Sequence, residues 1–229
     1  MTDPATSDDG RDDGELAAGD FAPWLDGMRA ALEGTADADV PCGTCTACCT
    51  ASQFVHIAPD ERDTLAHIPK ALLFPAPRLP AGHVLMGYDE RGHCPMLRDG
   101  ACSIYAHRPR TCRTYDCRVF PAAGLDGPGD DKPLIAERSR RWRFAHPTGA
   151  DRAAHDAVRA AAGWLAAHGA DLPPDAAPAT PTQVAVLAIE AAQAFRRSAE
   201  AGAGDRDAGN DRNGPAVDEV LVALTPRRR

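Results

Sequence analysis

The chain has 229 residues, with 25 basic and 33 acidic side chains, and the resulting net charge of -8 excludes nucleic-acid binding driven by overall charge. Hydrophobic residues reach 44%, but 45 residues are alanine and aromatics stand at 5%, so less apolar surface is available to a core than the fraction suggests. No apolar run approaches the length of a membrane span, and the first ten residues have neither the basic nor the apolar stretch of an export signal. A cytoplasmic setting is expected, with thiols kept reduced.

In chain order, residues 1–20 carry seven acids against Arg11 and read as a disordered acidic tail. Phe21 to Glu33 places Phe21, Trp24, Leu25, Met28 and Leu32 at helical spacing, and Gly34 closes the helix. Residues 42–50 are a cysteine-dense loop. Pro59 to His67 reads as a helix opened by proline, and 69–80, with four prolines, as an extended connector. His83 to Tyr88 suits a strand. Cys94 to Tyr105 reads as a β-hairpin about Asp99-Gly100, pairing Leu97 with Cys102 and Cys94 with Tyr105. That alternation would turn Cys94 and Cys102 to opposite faces. Pro109 opens a short helix toward Cys117, and Gly124 to Pro133 is a loop.

Ala150 to His168 is an alanine-rich helix with Ala154, Val158, Ala161 and Leu165 on one face. Four prolines between 172 and 181 interrupt it. A second helix follows the cap Thr180-Pro181-Thr182-Gln183, burying Val184, Leu187, Ala188, Ala191 and Phe195 and ending by Gly202. The expected fold is a small, irregular α+β structure. A metal-stabilised cysteine-rich core with a β-hairpin and short helices precedes a C-terminal helical pair. The domains are a tail (1–20), a cysteine-cluster domain with an N-terminal helix (21–120), a helical extension (121–200) and a mostly disordered tail (201–229).

All eight cysteines lie between residues 42 and 117: Cys42, Cys45, Cys48, Cys49, Cys94, Cys102, Cys112 and Cys117. Cys42-x2-Cys45-x2-Cys48 lets the chain fold round an ion with its thiolates inward, and Gly43 eases the turn. Thiolates are soft donors that select zinc, iron–sulfur clusters or copper(I). Without an export signal, disulfides are disfavoured, and the adjacent Cys48 and Cys49 are an awkward bridge. Adjacent side chains diverge, so Cys48 should face Cys42 and Cys45 while Cys49 points elsewhere. Cys42, Cys45 and Cys48 resemble three corners of a cubane site, with Cys94-Pro95 as a remote fourth ligand. Two cysteines from each of two knuckles would instead hold zinc.

Taken together, Cys42-x2-Cys45-x2-Cys48-Cys49, Cys94-Pro-Met-Leu, Cys102-Ser-Ile-Tyr and Arg108-Pro-x2-Cys112-Arg-x-Tyr-x-Cys117 resemble the YkgJ-type cysteine cluster family, named for CxxCxxCC. The resemblance covers about residues 40 to 120 and implies chelation of zinc or iron, with the eight cysteines as the metal ligands. The cofactor expected is an iron–sulfur cluster, by a slight margin, or zinc. Related domains occur in flagellin lysine methylases, but no glycine-rich cofactor loop is found here.

His56, His93 and His107 lie near cysteines and are candidates to replace a thiolate. Residues 91–146 hold 11 basic and 6 acidic side chains, a local surplus that would attract an acidic partner or the acidic N-terminal segment. The arginines around Trp142 would suit nucleic acid, a weaker expectation than a protein partner. There is no Ser/His/Asp arrangement, carboxylate pair or nucleotide loop to name a substrate. The expected function is that of a cytoplasmic metal-binding protein whose cysteine domain chelates iron, as an iron–sulfur cluster, or zinc; its alternatives are an iron–sulfur redox protein of unnamed substrate and a zinc-stabilised protein-interaction module.

Overall fold

A computed structural model describes residues 14–38, 40–174, 176–204 and 215–224. The architecture is α+β, with short helices, three small sheets and one long helical pair. α1 (Phe21–Leu32) turns Phe21, Trp24, Leu25, Met28 and Ala31 inward, close to the face read from spacing. It ends at Gly34, whose φ of 73° lets the chain reverse so that Gly34 and Thr35 donate back to the Ala31 and Ala30 carbonyls.

The acidic tail was expected to reach residue 20, but Leu16–Asp20 forms β1, paired in parallel with β7 (Trp142–Ala145). Short-range pattern gave no sign of this strand, because its partner lies more than a hundred residues downstream and its own side chains are small. Charge reinforces the pairing. Arg143 meets Glu15 at 2.9 Å and Arg141 donates to the Gly14 carbonyl at 2.8 Å, so part of the basic surplus serves the N-terminal segment. Residues 1–13 lie outside the described residues.

A second sheet has the order β2-β4-β3, all antiparallel, from β2 (Val55–Ile57), β3 (Leu73–Pro75) and β4 (Val84–Met86). β3 arises within the stretch read as a connector, and Pro75 is tolerated because β3 is an edge strand. The helix expected from Pro59 is shorter, with α2 spanning Arg62–His67. Val55, Ile57, Ile68, Met86, Met96 and Ile104 form a small core here.

The larger core belongs to α1, α4 (Val119–Ala122), α6 (Gly149–His168), α7 (Pro181–Gly204) and α8 (Val217–Leu224). Ala154, Ala157, Ala161 and Ala162 of α6 are buried with Ala185, Ala188, Ala191 and Ala192 of α7. Small side chains allow close packing of the helix surfaces, so alanine contributes more here than its own area implies. The face of α7 is centred on Ala185, Ala188, Ile189 and Ala192, while Val184 and Leu187 sit at its margin, half-buried. α6 starts at a capping box between Thr148 and Asp151. The Asp151 carboxylate also accepts the Ala22 amide of α1 at 2.9 Å, joining two helix N-termini. α8 falls within the tail expected to be mostly disordered. It forms because Val220 is fully buried against the main core. Two elements that complete this region, α3 (Arg110–Thr114) and α5 (Pro133–Arg141), bear on the cysteines. Among the described residues, no helix is long and apolar enough to cross a membrane.

Candidate metal centres

The loop from Cys42 reverses through Gly43, at φ 57°, with the Cys45 amide donating to the Cys42 carbonyl at 3.0 Å. Residues Ala47–Thr50 then form one 3-10 turn. Consecutive side chains in such a turn diverge by about 120°. This separates Cys48 from Cys49.

Cys48 is aimed at the first cluster. Burial is the main cause of its raised thiol pKa, followed by the charges of Cys117, Cys45 and Cys42. Cys117, pushed up to about 11 chiefly by burial, feels Cys42 and Cys45 in turn. Cys49, also pushed up to about 11 and first by burial, is next most affected by Cys94 and Cys102. Cys112, pushed up to about 12 first by burial, feels Cys94, Cys49 and Cys102. Cys48 and Cys117 thus lean toward Cys42 and Cys45, a first set, and Cys112 leans toward Cys49, Cys94 and Cys102, a second; the two sets adjoin, since Cys49 also feels Cys45 and Cys42, and Cys48 feels Cys49. Cys48 and Cys112 each keep an exposed edge, yet protein crowds the space around their sulfurs, and this crowding is what raises them.

Cys94, expected as the remote fourth partner of Cys42, Cys45 and Cys48, feels the Cys102 thiol. The Cys94 amide donates to the Cys49 carbonyl at 2.7 Å, tying Cys94 to the cysteine that points away from the first set. The loop before it is tightly built. Asp89 Oδ1 accepts the amides of Arg91 and His93, and the Ser52 amide donates to the Gly92 carbonyl. Gly92 has φ 79°, a left-handed backbone that favours glycine, and a Cβ there would also displace the Ser52 hydroxyl.

The hairpin turns at Asp99 and Gly100, with φ 50° and 75°, the two left-handed residues of a type I′ turn. Its strands, β5 (Leu97–Arg98) and β6 (Ala101–Cys102), keep the expected register, Leu97 opposite Cys102. After one more bond, from the Ser103 amide to the Met96 carbonyl at 2.8 Å, the ladder stops. Pro95 cannot donate to a longer strand, the Leu97 amide turns back to the Cys94 carbonyl, and Tyr105–His107 winds into a 3-10 turn. Cys94 does not pair with Tyr105, so strict alternation no longer governs it. Cys94 and Cys102 both pack on the small core instead of facing apart.

Cys112 rides on α3, whose start is fastened by Glu61. That buried carboxylate accepts the Ala58 amide at 2.9 Å and the Arg110 amide at 2.5 Å. Cys117 follows between Asp116 and Arg118, a buried ion pair at 2.8 Å. Asp116 also accepts the Trp24 indole N–H at 2.8 Å, anchoring this corner to α1.

The first set has a specific polar surround. Trp142 donates its indole N–H to Cys117 Sγ at 3.1 Å. Arg138, on α5, lies 4.9 Å over the Trp142 ring and donates to the Cys42 carbonyl. Arg118 lies 5.9 Å from the same ring. The Arg138 and Arg118 charges oppose the rise in the Cys42 pKa that burial and Cys45 cause. A thiolate-bound metal centre is commonly net negative, so these cations and the N–H donor suit one. The arginines round Trp142, considered above for nucleic acid, thus include one turned to a cysteine loop. The candidate histidines are engaged otherwise: His56 with His83 at 2.9 Å, and His107 with Asp63 at 2.7 Å. For His93 the contact seen is its backbone amide to Asp89.

Trp142 and Arg138 were not legible as ligand supports, since neither lies within the cysteine window. Eight free thiols in one region, with the Trp142 N–H on Cys117 and Arg138 at the Cys42 loop, are set against a helical scaffold. Residues 41–123, roughly a third of the chain, match the CxxCxxCC family, described as "Putative zinc- or iron-chelating domain". No curated protein and no solved structure matches this chain.

Proposed function

We propose that the protein carries two metal centres, one held by Cys42, Cys45, Cys48 and Cys117 and the other by Cys49, Cys94, Cys102 and Cys112. Each is an iron–sulfur cluster, and the protein works in a reducing, cytoplasmic environment. The reading is supported by the mutual influence of the thiols, Cys48 and Cys117 with Cys42 and Cys45, and Cys112 with Cys49, Cys94 and Cys102, together with the Trp142 N–H directed at Cys117 Sγ.

Spacing supports iron–sulfur over single zinc ions. Zinc–sulfur bonds of about 2.3 Å hold four thiolates within about 3.8 Å of one another. Among the described residues, ligand atoms gather three at a time within 4.8 Å only at Asp63, His67 and His107. Among these residues no three cysteine sulfurs thus lie within 4.8 Å of one another, and the corners of a multi-iron cluster are wider apart than four thiolates on one zinc. When bound, such clusters supply one-electron transfer. The chain's own part is to exclude water from Cys117, to aim the Trp142 N–H at its sulfur, and to hold Arg118 and Arg138 against the accumulated negative charge.

Anaerobic purification tests this directly. The expected protein is brown, absorbs broadly near about 400 nm, and contains iron and sulfide in equal amounts, about eight of each per chain for two cubanes. Colourless protein with about two zinc ions and no sulfide would overturn the iron–sulfur reading and leave a zinc-stabilised module.

A further inference from the structure

Away from the cysteines, Asp63, His67 and His107 bring one ligand atom each within 4.8 Å of one another. Asp63 and His67 stand one turn apart on α2, and His107 ends the 3-10 turn after the hairpin. His107 Nδ1 lies 2.7 Å from Asp63 Oδ2. His67 Nδ1 lies 2.8 Å from the Asp63 carbonyl oxygen and 3.7 Å from Oδ1. The two imidazoles are parallel within 5°, their centres 3.6 Å apart. Both side chains are about two-fifths exposed, so apolar burial does not account for so close a stack.

The platform under the triad is fixed. Glu61, one residue before α2, is buried, and its two oxygens take amides from Ala58 and from Arg110 at the start of α3. Asp60 meets the Arg110 guanidinium at 2.6 Å. α2 and the segment carrying His107 are therefore held together by contacts that do not involve the triad. The three side chains are brought together in advance, which lowers the ordering cost of binding, although the stacked rings must turn for both to direct a ring nitrogen at one ion.

We propose that Asp63, His67 and His107 form a third metal site, for a single divalent first-row cation bound by two imidazoles and one carboxylate. Nitrogen and oxygen donors of this kind suit zinc and its neighbours, in contrast to the all-thiolate sets. Three protein ligands facing solvent leave a coordination position open to water, unlike a closed structural site. His107 lies between Cys102 and Cys112, two members of the second cysteine set. A cation here clamps that intervening segment to α2. The inference does not depend on which metal the cysteines hold.

The test uses the full-length protein as purified, with its cysteine-held metal in place. Zn2+ is titrated against a chromophoric chelator, and one equivalent beyond the metal already present is expected. His67→Ala and Asp63→Asn should each weaken that equivalent by about tenfold or more, the scale set by losing even a supporting partner of a ligand. His107→Ala should do the same. Far-UV circular dichroism and cysteine-held metal are measured in parallel; if His107→Ala disturbs them, the two α2 variants decide. No additional zinc in the wild type, or an additional equivalent unchanged in His67→Ala and Asp63→Asn, overturns the site. So does an equivalent removed by His56→Ala but not by His67→Ala, which would place it at the His56–His83 pair.

Discussion

Trp142 illustrates how one donor distinguishes two otherwise similar sets of thiols. Its indole N–H reaches Cys117 Sγ, and the contact lowers a thiol pKa that burial raises. Hydrogen bonds to cluster sulfur favour the reduced, more negative state. In the iron-loaded protein, Trp142→Phe keeps an aromatic ring in the buried space but removes the donor. One reductive transition is expected to move to lower potential while the other stays in place, as read by a potentiometric titration followed by electron paramagnetic resonance. Equal movement of both transitions, or of neither, would contradict the assignment of Trp142 to a single set. At this scale the sequence was informative where chemistry is local. The cysteines, the Gly43 turn and the Asp99-Gly100 turn all depend on neighbours along the chain. Trp142 was hidden because its value comes from a sulfur 25 residues away, and spacing within a motif cannot report that.

Among the elements, α6 carries a titrating group into the main core. His155 stacks on Phe21 of α1 at 4.1 Å and contacts His146 at 2.7 Å. Burial, helped by the Arg159 charge and by His146, lowers its pKa from 6.5 to about 4, against the raising effect of Asp156 and the Pro121 backbone. The folded state keeps His155 neutral, whereas the unfolded chain takes up a proton below about pH 6.5. Its contribution is therefore fully present above pH 6.5 and declines as pH falls toward 4, by about 1 kcal/mol per unit within that window. Comparing urea midpoints of wild type and His155→Phe at pH 7 and pH 5 isolates the effect, and the variant should lose less stability on acidification. An identical loss in both would show that His155 is not the source. α6 and α7 were readable because helical periodicity and caps are written in consecutive residues. β1 and α8 were not, because each exists only through burial or pairing against a distant element.

Across the whole molecule, the two cysteine sets lean on different supports. Cys117 is buried in the main helical core, while Cys94 and Cys102 pack on the small core of β2, β4 and the hairpin. That small core has six buried members, so metal–thiolate bonds should supply much of the local stability. Removing metal with a chelator is expected to release amide-exchange protection across β2, β4 and the hairpin. Protection in α6 and α7 should remain, with the Cys42 loop intermediate because it is tied to α5 and Cys117. Uniform loss across the chain would mean that the helical core also depends on metal. Unchanged protection everywhere would mean that neither core does. The boundary between the cysteine region and the helices could not be drawn from composition alone. α1, placed with the cysteines on proximity in the chain, shares its core with α6 and α7.

The junction of Cys48 and Cys49 has a consequence for assembly. On the reading proposed above, one peptide bond joins a ligand of each centre, and a single 3-10 turn sets the direction of both. Filling either centre fixes that turn and thereby delivers a correctly aimed ligand to the other. The chain-ordering penalty is met once and shared, so the second filling is easier than the first. Partial supply then yields chains that are either empty or complete, with half-filled chains scarce. On that reading the adjacent cysteines would act as a coupling hinge, and maturation of the protein would be cooperative.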